Sequence, residues 1–430
     1  FWCTTDNGFG NSANSWDYPL HIHKMKIQKP FTFRHGESTF DRYTETESLG
    51  VSLLHDPNGH ISWENGADIQ VTYATPDSTW DDWKSQRVLT GRDFDLEGLA
   101  VLTNSYAIAG EELMPALFAV NPTTGEVLSN FVRTPDINPD GSFNGQYLSS
   151  KGDKVHCAIA DLETNSCLMS DDATVDASEY VRHGSSGGYE GLVPMADGST
   201  TAFIERNAGS KLAERGEPGT RVFRVTGSAN SPTPVFESFL GFYKFEVENN
   251  IDAIADASAL PNAPNKIAVV ERGGWPNGKM IPGQGLPNNR VCIIDLNVKD
   301  ENHVFEKTCV LNYHDVSDPF DTDNNGLTTA AFSQWTTEQL IVIDDFCLIA
   351  GTDTNFPGTN QFGLTAENTP DLQETFDTRW MVVCYYDPVF SDGSHPVSTP
   401  VSMMPKHYLV GLLNYPNSFV PDTLAGHTSG

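Results

Sequence analysis

Basic residues are scarce in this chain. Its 430 residues include 57 Asp and Glu but only 26 Lys and Arg, which gives a formal net charge of −31. A surface of that sign repels nucleic acid and anionic membranes, so DNA and RNA are excluded as partners. Such acidity is typical of proteins that stay soluble outside the cell. Carboxylates are also the ligands that divalent cations require, so the charge alone does not separate the two explanations.

Long apolar runs and C-x-x-C pairs are also missing. Without a run of about 18 apolar residues, no segment is expected to span a membrane. Without a C-x-x-C pair, the seven cysteines do not indicate a zinc or redox site, and they favour disulfides formed in an oxidising compartment. The chain starts at Phe1 and not at Met, which we interpret as a mature, secreted product whose signal peptide has been removed.

The cysteine positions predict three disulfides. The first pair brackets a short loop, and the second lies in neighbouring apolar stretches that can face each other across a hairpin. The predicted bridges are Cys157–Cys167, Cys292–Cys309 and Cys347–Cys384. Cys3 is then left over, either free or available for an intermolecular disulfide.

Amphipathic helical periodicity longer than two turns is hard to find. Short apolar segments are instead separated by turns rich in Gly, Pro and Asn. Leu117–Val120 and Glu126–Leu128, on either side of Asn121–Gly125, predict a hairpin. The fold class expected from this pattern is all-β.

One acidic motif occurs twice. The segments Asp95–Ala100 (DLEGLA) and Gly188–Val193 (GYEGLV) both place a Glu and then a Gly before a short apolar run. At such a Gly the backbone can turn and approach another strand closely. Glu271-Arg272 and Gly351–Phe356 follow at the ends of later apolar stretches. Carboxylates therefore recur at similar places of a repeat, which predicts that they meet at one central site.

The order and spacing of these segments resemble the phytase-like esterase family, a group of secreted β-propeller proteins with a D-x-E-G-[IL]-A motif. In that family the motif is followed by an acidic residue three positions before a Pro, a second E-G-L, an E-R and a late D-N-D-F. The corresponding residues here are Asp95 and Glu97, Glu112 before Pro115, Glu190, Glu271-Arg272 and Asp353–Phe356. The resemblance covers about Leu89 to Pro357. The late motif departs from the family pattern, and Thr328–Phe332 replaces the E-G expected before it.

The resemblance implies a single β-propeller. At about 45 to 60 residues per blade, the chain holds six to eight blades, and we expect seven. No shift in composition marks a boundary, so residues 1–430 are expected to form one domain. Residues 1–30 are expected to be a polar, irregular N-terminal segment, and residues 416–430 a loosely held tail.

A second motif suggests a different chemistry. Arg34-His35-Gly36-Glu37-Ser38-Thr39 looks like the signature of the histidine phosphatases, in which the His attacks phosphorus. That family needs an α/β fold with long helices around the motif, and the surrounding sequence predicts none. The histidine phosphatase alternative is therefore not favoured.

The acidic positions predict a metal centre. Like charges that converge need a cation or an arginine between them, and hard oxygen ligands favour calcium, or magnesium or manganese, over zinc. The expected axial ligands are Glu97, Glu190, Asp353 and Asn355. A second candidate is the half calcium loop 321–326 (DTDNNG), whose expected ligands are Asp321, Asp323 and Asn325; a plain Asp/Asn turn explains it equally well.

The resemblance to the phytase-like esterases implies a secreted, metal-dependent hydrolase, and we expect it to act on phosphate esters. Glu112 is the candidate base and Glu271 a second candidate catalytic residue, while Arg272 and Arg206 are expected to bind the negatively charged group of a small ester substrate. The alternative is a non-enzymatic extracellular protein that keeps the propeller and binds assembly partners.

Overall fold

The structure is a computed structural model, and it describes a little over half of the chain. The described ranges are 1–5, 18–28, 31–35, 38–42, 45–61, 85–91, 93–112, 114–149, 159–161, 166–168, 180–182, 187–206, 217–245, 253–273, 289–313, 316, 336–353, 379–385 and 407–414. Their regular structure consists of β-strands, as expected for an all-β fold. Within these ranges there is no helix of the length and apolar character needed to cross a lipid bilayer.

The strands number 26 within the described ranges. In chain order they are β1 (Trp2–Thr4), β2 (His21–Gln28), β3 (Phe31–His35), β4 (Ser38–Arg42), β5 (Glu45–Leu53), β6 (Leu96–Thr103), β7 (Tyr106–Glu111), β8 (Ala116–Val120), β9 (Val132–Arg133), β10 (Pro135–Ile137), β11 (Phe143–Ser149), β12 (Ile159–Asp161), β13 (Ser166–Leu168), β14 (Tyr180–Arg182), β15 (Tyr189–Pro194), β16 (Thr200–Ile204), β17 (Thr220–Ser228), β18 (Ser231–Tyr243), β19 (Ala253–Leu260), β20 (Ala263–Arg272), β21 (Asn289–Lys299), β22 (Phe305–Asn312), β23 (Thr336–Val342), β24 (Cys347–Asp353), β25 (Arg379–Tyr385) and β26 (His407–Asn414).

Hydrogen bonds group most of these strands into five blades of a β-propeller. Blade 1 contains β1, β2 and β5; blades 2 to 5 contain β6–β9, β15–β18, β19–β22 and β23–β26. Blades 1 and 5 are joined by a single parallel pair, Glu45 with Asn414. The remaining strands form the hairpins β3–β4 and β12–β13 and the small sheet β10-β11-β14.

The expected seven blades are not confirmed, because the described residues form five. The sequence estimate divided the chain by an average blade length. Part of that length is taken up by insertions, above all the segment between β9 and β15, whose strands lie outside the blades. The hairpin β3–β4, which lies in the chain between β2 and β5 of blade 1, also adds length without adding a blade.

Apolar clusters pack each blade on the next and close the ring. Two residues can represent each shared cluster: Leu20 and Leu96 between blades 1 and 2, Tyr106 and Phe223 between blades 2 and 3, Phe203 and Ile267 between blades 3 and 4, Val270 and Leu348 between blades 4 and 5, and Cys3 and Ile349 between blades 5 and 1. The core of the molecule is thus a circle of interfaces between sheets.

Position within a blade explains the burial of each strand. Every residue of β7 and β8 is buried, as expected for central strands that are covered on both faces by neighbouring blades. In β18, an outer strand, the first seven residues include four exposed ones. Continuous apolar stretches in the sequence therefore correspond to the interior of a blade and mixed stretches to its rim.

The N-terminal segment is more regular than its polar composition indicated. Residues 2–4 and 21–28 form β1 and β2 of blade 1, so the expectation of an irregular segment was wrong there. In β2, Ile22 and Met25 are buried while Lys26 is exposed. The sequence did not show a clear strand pattern here because His and Lys residues lie between the apolar ones.

The histidine phosphatase motif lies in a β-hairpin. Arg34 and His35 end β3, which pairs antiparallel with β4. A phosphatase of that type needs a strand that leads into an α/β core, so the topology here does not support this alternative.

Two of the predicted disulfides are confirmed. Cys292–Cys309 joins β21 to β22, and Cys347–Cys384 joins β24 to β25, each across directly paired positions. Cys157 lies outside the described residues, so its bridge to Cys167 stays a prediction. The two confirmed bridges are intramolecular.

Cys3 is a free thiol that packs into the cluster between blades 5 and 1. Burial raises its pKa to about 12, so little reactive thiolate forms near neutral pH. The intermolecular bridge through Cys3 stays a prediction, and the surroundings of the thiol do not favour it.

Candidate functional site

Acidic residues gather at one end of the ring because of strand direction. In an antiparallel blade, the start of the innermost strand and the end of the second strand meet at the same edge. The residues at this edge are Asp95, Glu97, Glu112, Glu190, Glu205, Arg206, Arg272 and Glu338. They come from blades 2 to 5, whose inner strands β6, β15, β19 and β23 contact one another in turn.

A β-bulge interrupts the inner strand of each of these four blades near its start. The inner strand has one residue more than its partner at Glu97–Gly98, at Glu190–Gly191, at Ala255 and at Glu338. A bulge bends the strand and re-aims the side chain that it carries. Three of the four bulges therefore present a glutamate, and these glutamates occupy equivalent places in blades 2, 3 and 5.

The glycine after Glu97 allows neighbouring inner strands to approach closely. A Cβ atom on Gly98 would lie 2.8 Å from the carbonyl oxygen of Glu190 and 2.8 Å from Cγ of Leu192. Only a residue without a side chain fits at this distance. The Glu-Gly motif of the sequence thus combines a charged bulge with close contact between blades 2 and 3.

Arg272 lies between three carboxylates. Its Nη2 atom is 2.8 Å from Oε1 of Glu190 and 2.9 Å from Oε1 of Glu205, and its Nη1 atom is 2.8 Å from Oε1 of Glu338. Glu205 is fully buried and Glu190 is 6% exposed. Burial opposes the charge of Arg272, but Glu190, Glu338 and Glu205 outweigh it and raise the pKa of the guanidinium. The group remains a cation.

Glu112 connects two groups of acids. Ligand atoms of Glu112, Glu190 and Glu205 lie within 4.8 Å of one another, and so do those of Glu112, Asp95 and Glu97. Burial raises the pKa of Glu112, and the nearby Glu205 and Asp95 raise it further, whereas Arg206 and Arg272 lower it. Burial also raises the pKa of Glu190. The cluster thus contains more carboxyl groups than its two arginines can pair, and burial favours the protonated forms of Glu112 and Glu190.

Two buried oxygens in the cluster lack a partner among the described residues. These are Oε2 of Glu190 and Oε2 of Glu205, whose other oxygens pair with Arg272. A buried carboxylate oxygen without a hydrogen bond is costly, and a cation would remove this cost. All the donors here are hard oxygens, the set that calcium, magnesium and manganese prefer. The residues therefore fit a divalent cation.

A comparison with protein families agrees with this architecture. The model of the phytase-like family, described as "esterase-like activity of phytase", matches residues 1–356. The chain belongs to the phytase-like family. The resemblance seen in the motifs between Leu89 and Pro357 is thereby confirmed, and the match extends it to the N-terminus. A search of curated proteins finds no match for this phytase-like chain.

In this phytase-like protein Glu271 points away from the acidic cluster. Its carboxylate accepts a hydrogen bond from the Tyr243 hydroxyl at 2.8 Å, pairs with Lys307, and lies 3.4 Å from Nε of Arg290. Neighbouring residues of a strand face opposite sides, so Glu271 and Arg272 cannot both enter the cluster. Cys292 and Cys309 lie near Glu271, but their sulfurs form a disulfide and are not available to a metal.

The structure brings together five of the predicted site residues, namely Glu97, Glu112, Glu190, Arg206 and Arg272. Arg206 donates from Nε to Oε1 of Glu205 at 2.8 Å, and its side chain is 36% exposed. Asp353 ends β24 at the same edge, but its side chain is not described. Asn355 and the half calcium loop with Asp321, Asp323 and Asn325 lie outside the described residues, so these ligands stay predictions.

Glu205 and Glu338 were missed by the motif analysis. A signal for Glu205 was present, because Phe203-Ile204-Glu205-Arg206 repeats the pattern of Val269-Val270-Glu271-Arg272. Glu338 follows two threonines and carries no Gly after it, so the Glu-Gly pattern did not detect it.

Proposed function

We propose that this phytase-like protein is a secreted hydrolase that uses a divalent cation, calcium by preference, to cleave phosphate esters. The observation that carries the proposal is the buried acidic cluster with the two unpartnered oxygens of Glu190 and Glu205. Membership of the phytase-like family supports it. We also propose that the whole chain, residues 1–430, forms one propeller domain. The two disulfides support an oxidising, extracellular location.

Glu190 and Glu205 would hold the cation, with Glu97 and Asp95 close by on blade 2. When bound, a divalent cation polarises a phosphoryl oxygen and makes a coordinated water more acidic. The protein contributes ligands fixed on inner strands, which hold their geometry better than loops do.

Glu112 is the proposed acid–base residue. It is half-buried beside Glu190 and Glu205, and burial raises its pKa. A carboxyl group exchanges protons most effectively when its pKa lies near the working pH, so a raised pKa suits this role. Glu112 would take the proton from the attacking water and return it to the leaving alcohol.

Arg206 is the proposed substrate-binding residue. Its guanidinium is partly exposed, and its ion pair with Glu205 is made through Nε, so Nη1 and Nη2 are the donors that we propose for the phosphate. Arg272 was the other candidate from the sequence. It is engaged by three carboxylates and is largely buried, so its proposed role is to hold the acidic cluster together.

Hydrolysis of p-nitrophenyl phosphate and p-nitrophenyl acetate tests the proposal. We expect release of p-nitrophenol from the phosphate that stops with chelator and returns with calcium. E112Q should lower kcat by about 100-fold or more, and R206Q should mainly raise KM. E237Q, which removes an exposed carboxylate paired with Arg224, is the matched control and should retain activity.

The same assay separates the alternatives. Turnover of the acetate alone would assign an acyl esterase and not a phosphoesterase. An absence of turnover with calcium, magnesium and manganese would contradict the enzymatic proposal and support the non-enzymatic assembly protein, for which size exclusion without reductant should then show species larger than a monomer.

A further inference from the structure

One ladder position recurs in four blades. In each blade it belongs to the second strand or the residue after it, and it lies opposite the inner-strand residue two positions before the bulge. The residues at this position are Glu112 in blade 2, Glu205 in blade 3, Arg272 in blade 4 and Asp353 in blade 5. Blade 4 thus has a guanidinium where the three other blades have a carboxylate.

The bulge of blade 4 also lacks the carboxylate that the other three bulges carry. Its residue is Ala255, whereas the other three bulges carry Glu97, Glu190 and Glu338. Among the described residues of blade 4, neither the bulge nor the ladder position therefore adds a carboxylate to this end of the ring. Its Arg272 reaches between blades 3 and 5 and contacts the acids of both.

The atoms that contact Arg272 are carboxylate oxygens, the kind of ligand that a divalent cation binds. One oxygen from each of Glu190, Glu205 and Glu338 points to the guanidinium, at 2.8 to 2.9 Å. Glu205 is fully buried, Glu190 nearly so, and the second oxygen of each has no partner among the described residues. Three carboxylates that each direct one oxygen to the same point are a suitable ligand set for a hard divalent cation.

We propose that Arg272 is a built-in counter-cation that occupies a divalent cation position, so that this one side chain limits how many cations the end of the ring binds. It neutralises the Oε1 atoms of Glu190, Glu205 and Glu338, and it leaves the Oε2 atoms of Glu190 and Glu205, beside Glu112, open for an exchangeable ion. The inference concerns cation binding and goes beyond the proposed hydrolysis. It holds whether or not the chain is an enzyme.

Calcium stoichiometry of Arg272 variants tests this proposal. Equilibrium dialysis with calcium should show one more bound ion per chain for R272Q than for the unchanged protein, since the three carboxylates become available. R272K keeps the positive charge and should bind the same number as the unchanged protein. R290Q removes an arginine from the opposite face of the same sheet, where it pairs with Glu271, and should also leave the number unchanged.

A double variant shows where the additional ion binds. E338Q in the R272Q background removes one of the three carboxylates and should abolish the extra ion. The proposal is overturned if R272Q and the unchanged protein bind equal numbers, or if R272Q fails to fold at any calcium concentration while R272K folds. An extra ion in R272Q without any esterase activity would support the counter-cation and contradict only the proposed hydrolysis.

Discussion

Asp256 is a half-buried carboxyl group that joins two inner strands. Its carboxylate accepts hydrogen bonds from the backbone N–H groups of Ala257 and, on blade 5, of Leu340, both at 2.7 Å. Next to it, the Ser258 hydroxyl accepts from the N–H of Val342 at 3.0 Å. Blades 4 and 5 are thus joined by side-chain to backbone bonds as well as by apolar packing.

The free energy of unfolding should depend on pH through Asp256. Burial raises its pKa from 3.8 to about 7. The folded protein then binds this proton more tightly than the unfolded chain does, so the contribution is fully present below about pH 4 and is lost as the pH rises to about 7. The slope from this group is at most about 1.4 kcal/mol per pH unit. Urea unfolding at a series of pH values measures it.

Two variants identify the titrating group. D256N removes the titration, so its stability should fall less steeply between pH 4 and 7 than that of the unchanged protein. S258A removes a comparable bond to blade 5 without removing a titrating group, and its slope should be unchanged. Equal slopes in all three proteins would show that Asp256 does not titrate in this range.

At the scale of residues, the sequence predicted the acids that lie in a recognisable motif. Glu97 and Glu190 lie on inner-strand bulges that their Glu-Gly motifs mark, and Glu112, which was located by its spacing to Pro115, lies beside both. The motif analysis located Glu271-Arg272 at the end of a strand. Which of the two side chains faces the acidic cluster depends on the register of the ladder. In blade 3 the Glu of the pair enters the cluster, whereas in blade 4 the Arg does. A shift of one residue reverses which side chain faces inward, and a sequence pattern does not reveal it.

At the scale of elements, the inner-strand bulges determine how closely the blades approach. The two Glu-Gly bulges are alike in sequence but differ in the space around the glycine. A Cβ atom on Gly98 would meet a backbone oxygen at 2.8 Å, whereas on Gly191 the nearest atom, Cβ of Ala257, would be 3.4 Å away. The same substitution therefore has different costs at equivalent positions.

G98A should lower the free energy of unfolding by about 1 to 3 kcal/mol, the usual range for overpacking against atoms that cannot move. G191A is the matched control and should change it by less than about 1 kcal/mol, because its contacts are ordinary van der Waals distances. Denaturant unfolding of both variants measures the difference. If G98A lowered the free energy of unfolding no more than G191A does, blades 2 and 3 would be able to separate without cost.

The strands within a blade were easier to predict than the number of blades. Segments such as β8 and β20 are apolar and bounded by turns, so their strand structure is evident from the sequence. The small sheet β10-β11-β14 also consists of strands, but it belongs to no blade. Which strands pair is decided by contacts between distant residues, and local sequence does not contain that information.

At the scale of the whole molecule, the net charge of −31 opposes the compact state through repulsion. Two effects of added salt should therefore be separable. Monovalent salt screens repulsion between exposed carboxylates, whereas we propose that a divalent cation also binds the unpartnered oxygens of Glu190 and Glu205 in the folded state.

Calcium chloride should raise the Tm more than sodium chloride at equal ionic strength. The excess should disappear in an E190Q/E205Q double variant, in which the buried ligands are lost, while the effect of sodium chloride should remain. Differential scanning calorimetry measures both. A calcium effect that persists in full in the double variant would place the bound ion elsewhere.

The placement of the acids on inner strands has a consequence for divergence within the family. Glu97, Glu190 and Glu338 are fixed by bulges of the central sheet edges, and the segments that connect the strands can lengthen, shorten or be replaced without displacing them. If the proposed hydrolysis holds, the strands carry the chemistry and the connecting segments carry the selectivity. A relative that keeps the acidic bulges would then be able to change its substrate by exchanging the connecting segments alone.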